Sequence, residues 1–207
     1  MSQARRMVLL AGASGSGKSR LAAVAGCPRL NLDDFYRDHD HADLPRLPSR
    51  EEAQGTVDWD HPGSWDLEAA LAAAVALCRT GSAEVPVYDI SQSRRTGQHR
   101  VALGEHRVFV AEGVFAPELV GPATAAGVPV TALYLDRPRA ANLVRRFLRD
   151  VVEHRKPLLL LLRRGWALWR AEPMIRSRAL AAGCRPVPLR GALAELRAHA
   201  SEPPERP

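Results

Sequence analysis

The chain has 207 residues, a net charge of +6, a pI of about 9.9 and 46% hydrophobic residues. This length suits one α/β domain with a substantial core, the hydrophobic content is that of a globular protein, and no apolar segment is long enough to span a membrane. Cys27, Cys78 and Cys184 show neither metal-ligand spacing nor a pairing pattern, which predicts reduced thiols and a cytoplasmic location.

Apolar runs alternate with helical periodicity along the chain, which predicts a parallel sheet with helices on both faces. The first run, residues 7–11, follows two arginines but is too short for a secretory signal, so we interpret it as a core strand. The predicted strands are 6–11, 29–32, 85–89, 107–112 and 130–135. The predicted helices are 17–26, 64–79, 115–126, 137–153, 158–170, 171–182 and 190–199. Ser64 is the expected N-cap of the alanine-rich helix 64–79.

A glycine-rich loop follows the first predicted strand and leads into the first predicted helix. It fits the pattern G-x-x-x-x-G-K-S/T of phosphate-binding loops. Its residues are Gly12, Ala13, Ser14, Gly15, Ser16, Gly17, Lys18 and Ser19. The chain contains only two lysines, Lys18 and Lys156, among 29 basic residues. A Gly/Ser-rich turn that matches by chance is the alternative, and the strand–loop–helix order argues against it.

The loop residues have the chemistry that a bound nucleotide requires. Glycines let successive backbone N–H groups converge on an anion, and the following helix adds its positive N-terminal end. Lys18 can bridge the β- and γ-phosphates of ATP, and the Ser19 hydroxyl can bind Mg²⁺. The sequence therefore predicts ATP and Mg²⁺ as cofactors.

Carboxylates follow two of the predicted strands. Asp33 and Asp34 come after the strand 29–32, and Glu112 ends the strand 107–112. Ligands of open α/β sheets bind outside the carboxyl ends of the strands, so both positions are candidates for metal binding or proton transfer. A helix cap or turn residue is the alternative for Asp33, and a solvated strand end is the alternative for Glu112.

Two further segments complete the organisation of a single domain over residues 1–200. Residues 37–63 are polar and aperiodic, which indicates a functional or disordered segment. Arginines concentrate after residue 137, which would suit either a nucleic acid or a helical lid over nucleotide phosphates. No nucleic-acid-binding motif accompanies them, so we favour a lid at about 145–165. The tail 201–207 is predicted to be disordered.

Six blocks in the same order resemble the uridine kinase family, a nucleoside-monophosphate-kinase-like branch that also includes phosphoribulokinase and bacterial pantothenate kinase. The blocks are the loop 12–19, Leu32-Asp33-Asp34-Phe35-Tyr36-Arg37, Asp58-Trp59-Asp60-His61-Pro62, Val85-Pro86-Val87-Tyr88-Asp89, Ala111-Glu112-Gly113 and, after Leu135-Asp136, Arg145-Arg146-Phe147-Leu148-Arg149-Asp150. The resemblance covers roughly residues 6–156. It implies a three-layer P-loop fold with a mostly parallel five-stranded sheet and a helical lid.

The resemblance also implies roles for individual residues. Asp33 would be the general base for the acceptor hydroxyl. Ser19, Asp33 and Glu112 would surround Mg²⁺. The acceptor would be bound by Tyr36, Asp60, Tyr88, Arg146 and Lys156. Arg149 would reach the nucleotide phosphates, and residues 37–63 would form an acceptor-binding insertion of a single P-loop kinase domain. For His61 and Pro62 we favour a rigid turn that orients Asp60 over a catalytic histidine.

One position departs from the family pattern. The nucleoside kinases carry a histidine that reads the pyrimidine edge where this chain has Ser93, and Ile90 replaces the usual aromatic residue. The sequence thus predicts an ATP-dependent kinase that acts on a small molecule, with a nucleoside 5′-hydroxyl as the first expectation. A nucleoside-like metabolite, sugar, pantothenate or antibiotic is the alternative acceptor. A nucleotide-dependent regulator or RNA-binding ATPase is less favoured, and homo-oligomerisation stays open.

Overall fold

A computed structural model describes residues 5–13, 15–48, 55–138 and 172–201. The strands are β1 (Arg6–Ala11), β2 (Arg29–Asn31), β3 (Arg46–Leu47), β4 (Thr56–Val57), β5 (Ser82–Asp89), β6 (Arg94–Ala102), β7 (Val108–Glu112), β8 (Val130–Leu135) and β9 (Arg185–Val187). The helices are α1 (Lys18–Ala25), α2 (Leu67–Thr80), α3 (Ala116–Ala125), α4 (172–181) and α5 (Leu189–Ser201). Short 3-10 turns lie at Leu32–Phe35 and Pro62–Ser64.

The central sheet has the strand order β2-β7-β1-β8-β9, and every neighbouring pair is parallel. The predicted α/β class with a five-stranded sheet is therefore confirmed. From β1 the chain passes to β2, which lies on one side of β1 in the sheet. From β7 it crosses to β8, which lies on the other side of β1. Such a reversal opens a crevice at the carboxyl ends of the strands, where ligands of α/β proteins bind.

The residues of β1 alternate between two hydrophobic cores, as the two-residue period of a strand requires. Met7 and Leu9 belong to the core that α2 and α3 cover. Val8 and Leu10 belong to the core that α1 and α5 cover. The sheet therefore lies between two helical layers, which explains why β1 and β7 are almost continuously apolar.

The start of α2 differs from the sequence-based expectation. Asp66, and not Ser64, caps the helix, because its carboxylate accepts a hydrogen bond from the Ala69 N–H at 3.0 Å. Ser64 is buried, and its hydroxyl donates to the carbonyls of Trp59 at 3.2 Å and His61 at 2.8 Å. The helix consequently begins at Leu67, three residues later than predicted.

The prediction that residues 85–89 form a core strand of the parallel sheet was wrong. They belong to β5, which pairs with β6 in a separate antiparallel hairpin. Pro86 explains this, because proline cannot donate to the hydrogen bonds of a central strand. The fifth strand of the sheet is instead β9, which pairs with β8 and was not predicted.

Strands β3, β4 and β6 were not predicted, whereas β1, β2, β7 and β8 agree with the predicted strands. Helices α1, α3 and α5 lie within two residues of the predicted ranges, and residues 172–181 are helical. Residues 37–63 contain the small β3–β4 hairpin. Most of the predicted helix 137–153, all of 158–170 and the lid at 145–165 lie outside the described residues, as does the tail after Ser201. No helix within the described ranges is long and apolar enough to cross a membrane.

Candidate active site

The glycine-rich loop links the carboxyl end of β1 to the first turn of α1. Gly17 precedes the helix with a φ of 97°, a conformation that residues with a Cβ rarely adopt. Ser16 is fully buried, and its Oγ has no hydrogen-bond partner among the described residues. A buried polar atom without a partner is costly, so this hydroxyl is suited to meet an anion in the loop.

The Lys18 ammonium lies within the same loop. Its Nζ donates to the carbonyl oxygens of Gly12 at 2.9 Å and Ala13 at 3.3 Å. These two contacts fold the side chain back over the loop, where a bound phosphate would lie. The predicted loop residues are therefore brought together, except that Ser14 lies outside the described residues.

Ser19 and Glu112 meet although they are 93 positions apart in the chain. The Ser19 hydroxyl donates to Glu112 Oε1 at 2.6 Å, and the same oxygen accepts from Arg29 Nη1 at 3.2 Å. Glu112 is only 4% exposed. The alternative that Glu112 is a solvated strand end is therefore wrong, and Arg29 is a contact that the sequence analysis missed.

Asp33 lies beside Glu112 because β2 and β7 are neighbours, with Asn31 opposite Glu112 in the register. Its Oδ1 accepts from the Val114 N–H at 2.8 Å. A Cβ at Gly113 would lie 2.8 Å from that Oδ1, so only glycine lets the two strand ends come this close. Burial raises the pKa of Asp33 above 3.8, and the Lys18 charge opposes the shift. A raised pKa strengthens a carboxylate as a base.

Asp34 has a different environment, which separates the two adjacent carboxylates. It accepts hydrogen bonds from the Asn31 side chain and from the Tyr88 backbone N–H. Burial raises its pKa, while those bonds and the charges of His99 and Arg29 lower it. Asp34 therefore links the turn Leu32–Phe35 to β5, whereas Asp33 faces the phosphate-binding loop.

The chemistry of the donor set fits Mg²⁺ bound together with a nucleotide. Ser19, Asp33 and Glu112 offer hydroxyl and carboxylate oxygens, which are the ligands that Mg²⁺ prefers. No group of three or more His, Cys, Asp or Glu side chains in the described ranges could hold a metal alone. Phosphate oxygens and water would have to complete the coordination, as is usual for Mg²⁺ in kinases.

An aromatic cluster lies next to Asp33 and contains two of the predicted acceptor residues. The Tyr36 ring centroid is 5.6 Å from that of Tyr88 and 5.9 Å from that of Trp59. Phe115 packs edge-on against Tyr36 at 5.7 Å. These distances are typical of aromatic pairs, so the cluster forms a wall of rings. Trp59 and Phe115 were not predicted, because their contacts join distant parts of the chain.

Asp60 is exposed at the edge of this cluster. Burial raises the pKa of Tyr36, and the negative charges of Asp33 and Asp60 raise it further, so both carboxylates act on the same hydroxyl. The His61 Nδ1 accepts from the Gly63 N–H at 3.0 Å. This bond caps the short turn Pro62–Ser64, so a turn is present where it was predicted, and its role in orienting Asp60 stays a prediction.

Ser93 lies in the turn between β5 and β6. Its hydroxyl donates to the Ile90 carbonyl at 3.5 Å, whereas the Tyr88 hydroxyl donates to the Arg37 carbonyl at 3.5 Å. Ser93 has a positive φ of 50°, and its carbonyl accepts from the His39 N–H at 2.8 Å. The residue that replaces the base-reading histidine therefore holds the turn to the segment around His39 through its backbone.

Arg95 fastens the β5–β6 hairpin to the acceptor region. Its guanidinium donates to the carbonyls of Tyr36 at 3.1 Å and Phe35 at 3.3 Å, and it forms an ion pair with Asp66 at 3.1 Å. Its backbone N–H donates to Asp38 Oδ1 at 2.7 Å. This residue was not predicted, because nothing near a single arginine in a polar strand indicates which distant residues it contacts.

We expect Arg95→Gln to lower the free energy of unfolding by about 1–3 kcal/mol, because charge-assisted, partly buried hydrogen bonds are lost. Urea denaturation would measure the change. The control is Arg94→Gln, which alters an exposed neighbour in the same strand and should change stability by less than about 0.5 kcal/mol. Equal effects of the two substitutions would contradict the fastening role of Arg95.

A groove of about 270 Å³ begins beside Gly17 and runs between α1 and α5. Apolar and basic side chains line it, namely Arg20, Leu21, Val24, Leu189, Arg190 and Leu193. This lining suits a flat, apolar group that is attached to a phosphate bound in the loop.

Three of the predicted site residues, Arg146, Arg149 and Lys156, lie outside the described residues. The described part of the site nevertheless joins a phosphate-binding loop, a hydroxyl–carboxylate pair suited to a metal, a partly buried carboxylate and a wall of rings. These features, at the carboxyl edge of a parallel sheet, define the class of P-loop kinases.

Comparisons with known proteins agree with this class. The chain is 30% identical over 156 residues to uridine kinase from Tolumonas auensis, covering 70% of this chain and 67% of that protein. It is 26% identical over 163 residues to uridine kinase from Pasteurella multocida, covering 73% and 70%. No family model matches the chain. The protein belongs to the uridine kinase family and is an ATP-dependent phosphotransferase.

The fold has a counterpart among solved structures. A proposed fructose transport system kinase from Silicibacter sp. TM1040 superimposes with a TM-score of 0.54 and 22% identity, covering 89% of this chain and 88% of that one. This likeness concerns the fold alone.

Proposed function

We propose that the enzyme transfers the γ-phosphate of ATP to the 5′-hydroxyl of a nucleoside. The observation that carries this proposal is the position of the Tyr36, Trp59 and Tyr88 rings beside the partly buried Asp33 carboxylate. A nucleobase can pack on these rings while the 5′-hydroxyl of the nucleoside reaches the Asp33 carboxylate. Asp60 at the rim can accept hydrogen bonds from adjacent hydroxyls of a ribose.

Asp33 is assigned the role of general base. The Val114 N–H fixes one carboxylate oxygen at 2.8 Å, which leaves the other for the acceptor hydroxyl. The carboxylate takes the proton of that hydroxyl as the oxygen attacks the γ-phosphorus and ADP leaves on the opposite side. Its raised pKa favours this transfer, because a stronger base accepts the proton more readily.

The loop and its neighbours are assigned to charge neutralisation. Lys18 turns from the carbonyls of Gly12 and Ala13 to the phosphates, and the loop N–H groups bind the phosphate oxygens. Ser19, Asp33 and Glu112 would hold Mg²⁺, which neutralises phosphate charge when it is bound. Arg149 is assigned to the phosphates, and Arg146 and Lys156 to the acceptor, as the family resemblance implies.

The groove between α1 and α5 is assigned to the purine of ATP. It starts at Gly17, next to the loop, and its apolar lining suits a flat heterocycle. This assignment puts the base close to the loop that would bind its phosphates.

A second acceptor class is favoured by one specific observation. Ser93 stands where the family carries its base-reading histidine, and its hydroxyl donates to the Ile90 carbonyl in the same turn, so it offers no ring donor to a pyrimidine. A nucleoside-like metabolite or a sugar does not require a residue that recognises a pyrimidine edge, and it is the second candidate acceptor. An ADP-release assay over uridine, cytidine, adenosine, ribose and pantothenate, with product masses, tests the proposal. Turnover of the non-nucleosides alone would refute the nucleoside assignment.

We expect uridine to exceed 2′-deoxyuridine in kcat/KM by about 10–100-fold, because Asp60 loses a hydroxyl partner in the deoxy compound. The exposure of Asp60 keeps the expected ratio below that of a fully buried site. Asp60→Asn should bring the two values within about threefold. The exposed Asp43 belongs to the same segment, and Asp43→Asn is the matched control that should preserve the preference.

A further inference from the structure

Arg29 places a positive charge directly on the carboxylate assigned to the metal. Its Nη1 lies 3.2 Å from Glu112 Oε1, the same oxygen that accepts from the Ser19 hydroxyl at 2.6 Å. The Arg29 side chain is 44% exposed, whereas that of Glu112 is 5% exposed. The Arg29 side chain can therefore move into solvent, whereas the Glu112 carboxylate that it neutralises cannot.

We propose that Arg29 sets the metal affinity of the enzyme by competing with Mg²⁺ for Glu112. This inference rests on the assignment of Ser19 and Glu112 to the metal in the proposed function. Arg29 is not assigned to any chemical step. It acts through Glu112, whose charge and orientation it controls.

Electrostatics explains why a counter-cation is needed before the metal binds. Burying an ionised carboxylate without a partner is costly, and Asp33 and Asp34 lie close to Glu112, so negative charge accumulates at this sheet edge. The guanidinium of Arg29 relieves that repulsion and acts on Asp34 as well. It therefore balances the negative charge of the Glu112 side chain, which contacts Ser19 while no metal is present.

The same charge opposes Mg²⁺ when the nucleotide arrives. A divalent cation bound by Ser19 and Glu112 would lie a few ångströms from the guanidinium, and like charges at that distance repel. Because Arg29 is nearly half exposed, solvent screens part of the repulsion, and the side chain can turn away. The result is a metal site that is weakened but not blocked.

The test measures how strongly Mg²⁺ and ADP favour each other on the enzyme, with no acceptor present. The quantity is the ratio of the ADP Kd in EDTA to the ADP Kd in saturating Mg²⁺, obtained by titration calorimetry; linkage makes it equal to the effect of ADP on metal affinity. We expect Arg29→Gln to increase this ratio about tenfold, which corresponds to about 1.4 kcal/mol. Binding of Mn²⁺ to the enzyme–ADP complex, followed by electron paramagnetic resonance, should tighten by a similar factor.

Two control variants separate charge from fold. Arg29→Lys retains the positive charge and should stay within about threefold of the wild-type ratio. Arg79→Gln removes an exposed charge at the far end of α2 and should leave the ratio unchanged. A third variant, Ser19→Ala, should reduce the ratio, because it removes an assigned metal ligand.

An Mn²⁺ affinity of the enzyme–ADP complex that is unchanged or weaker in Arg29→Gln, with the expected loss in Ser19→Ala, would overturn the role of Arg29 and leave the metal assignment intact. A ratio near one in the wild-type enzyme would overturn both. Failure of uridine as an acceptor would refute the nucleoside assignment without affecting this measurement, because no acceptor is present.

Discussion

Lys18→Ala and Lys18→Arg should each lower kcat by about 10²–10³, because each removes a positioned charge from the phosphates in the transition state. Lys18 fits within a narrow loop, where its Nζ already lies 2.9 Å from the Gly12 carbonyl. The arginine fork is wider and planar and cannot occupy that position without displacing the loop. The conservative substitution is therefore expected to be nearly as damaging as the truncation.

The measurement is ADP release with the best acceptor of the panel, together with ADP affinity for each variant. Arg79→Ala is the control for loss of one positive charge from an exposed position. Thermal denaturation should show both Lys18 variants folded. Wild-type turnover in Lys18→Arg would mean that the loop holds the nucleotide without stabilising its transfer.

Asp33→Asn should abolish phosphoryl transfer, with a loss of about 10²–10⁴ in kcat, while ATP affinity falls by no more than about tenfold. The amide can still accept from the Val114 N–H, so the local backbone is retained. The variant can no longer take the proton of the acceptor hydroxyl. Calorimetry of ATP binding beside the turnover assay separates the two effects, and retained turnover would exclude Asp33 as the base.

The same substitution should raise the melting temperature of the ligand-free protein. Burial raises the pKa of Asp33, so the folded state disfavours the ionised carboxylate that is present at neutral pH. Because the pKa of Asp33 is higher in the folded state, protonation of this group stabilises the fold, and the contribution is complete below pH 3.8. The contribution is lost as the pH rises through the folded-state pKa. The stability difference between Asp33→Asn and wild type should therefore vanish below about pH 3.8 and grow as the pH rises.

The local part of the site could be predicted because its signals are contiguous. The loop from Gly12 to Ser19, the apolar strands and the acidic residues that follow them are each visible within a few residues. The family resemblance then suggested that Asp33 and Glu112 act together, and the β2–β7 register shows why they are close.

The contacts that tie distant segments together could not be predicted in this way. Arg29 and Arg95 act through partners 83 and 29 to 60 positions away, and nothing near them in the chain marks those partners. The three residues of β9 are too few to show a period. The placement of β5 was the one avoidable error, because Pro86 signals a strand outside the centre of a sheet.

The arrangement of the β5–β6 hairpin has a consequence for how such enzymes could change their substrates. Within the described residues, the hairpin makes no hydrogen bonds to the parallel sheet, and Arg95, Asp34 and Ser93 attach it to the segment around Tyr36. Its residues Ala83 and Val85 pack in the core that α2 and α3 cover. The spacing between Asp33 and Glu112 is set by sheet register, which the hairpin does not enter. We expect that residues 82–102 of a relative with another acceptor can be transplanted when Arg95 and the two core residues are retained, because the exchange leaves that spacing unaltered.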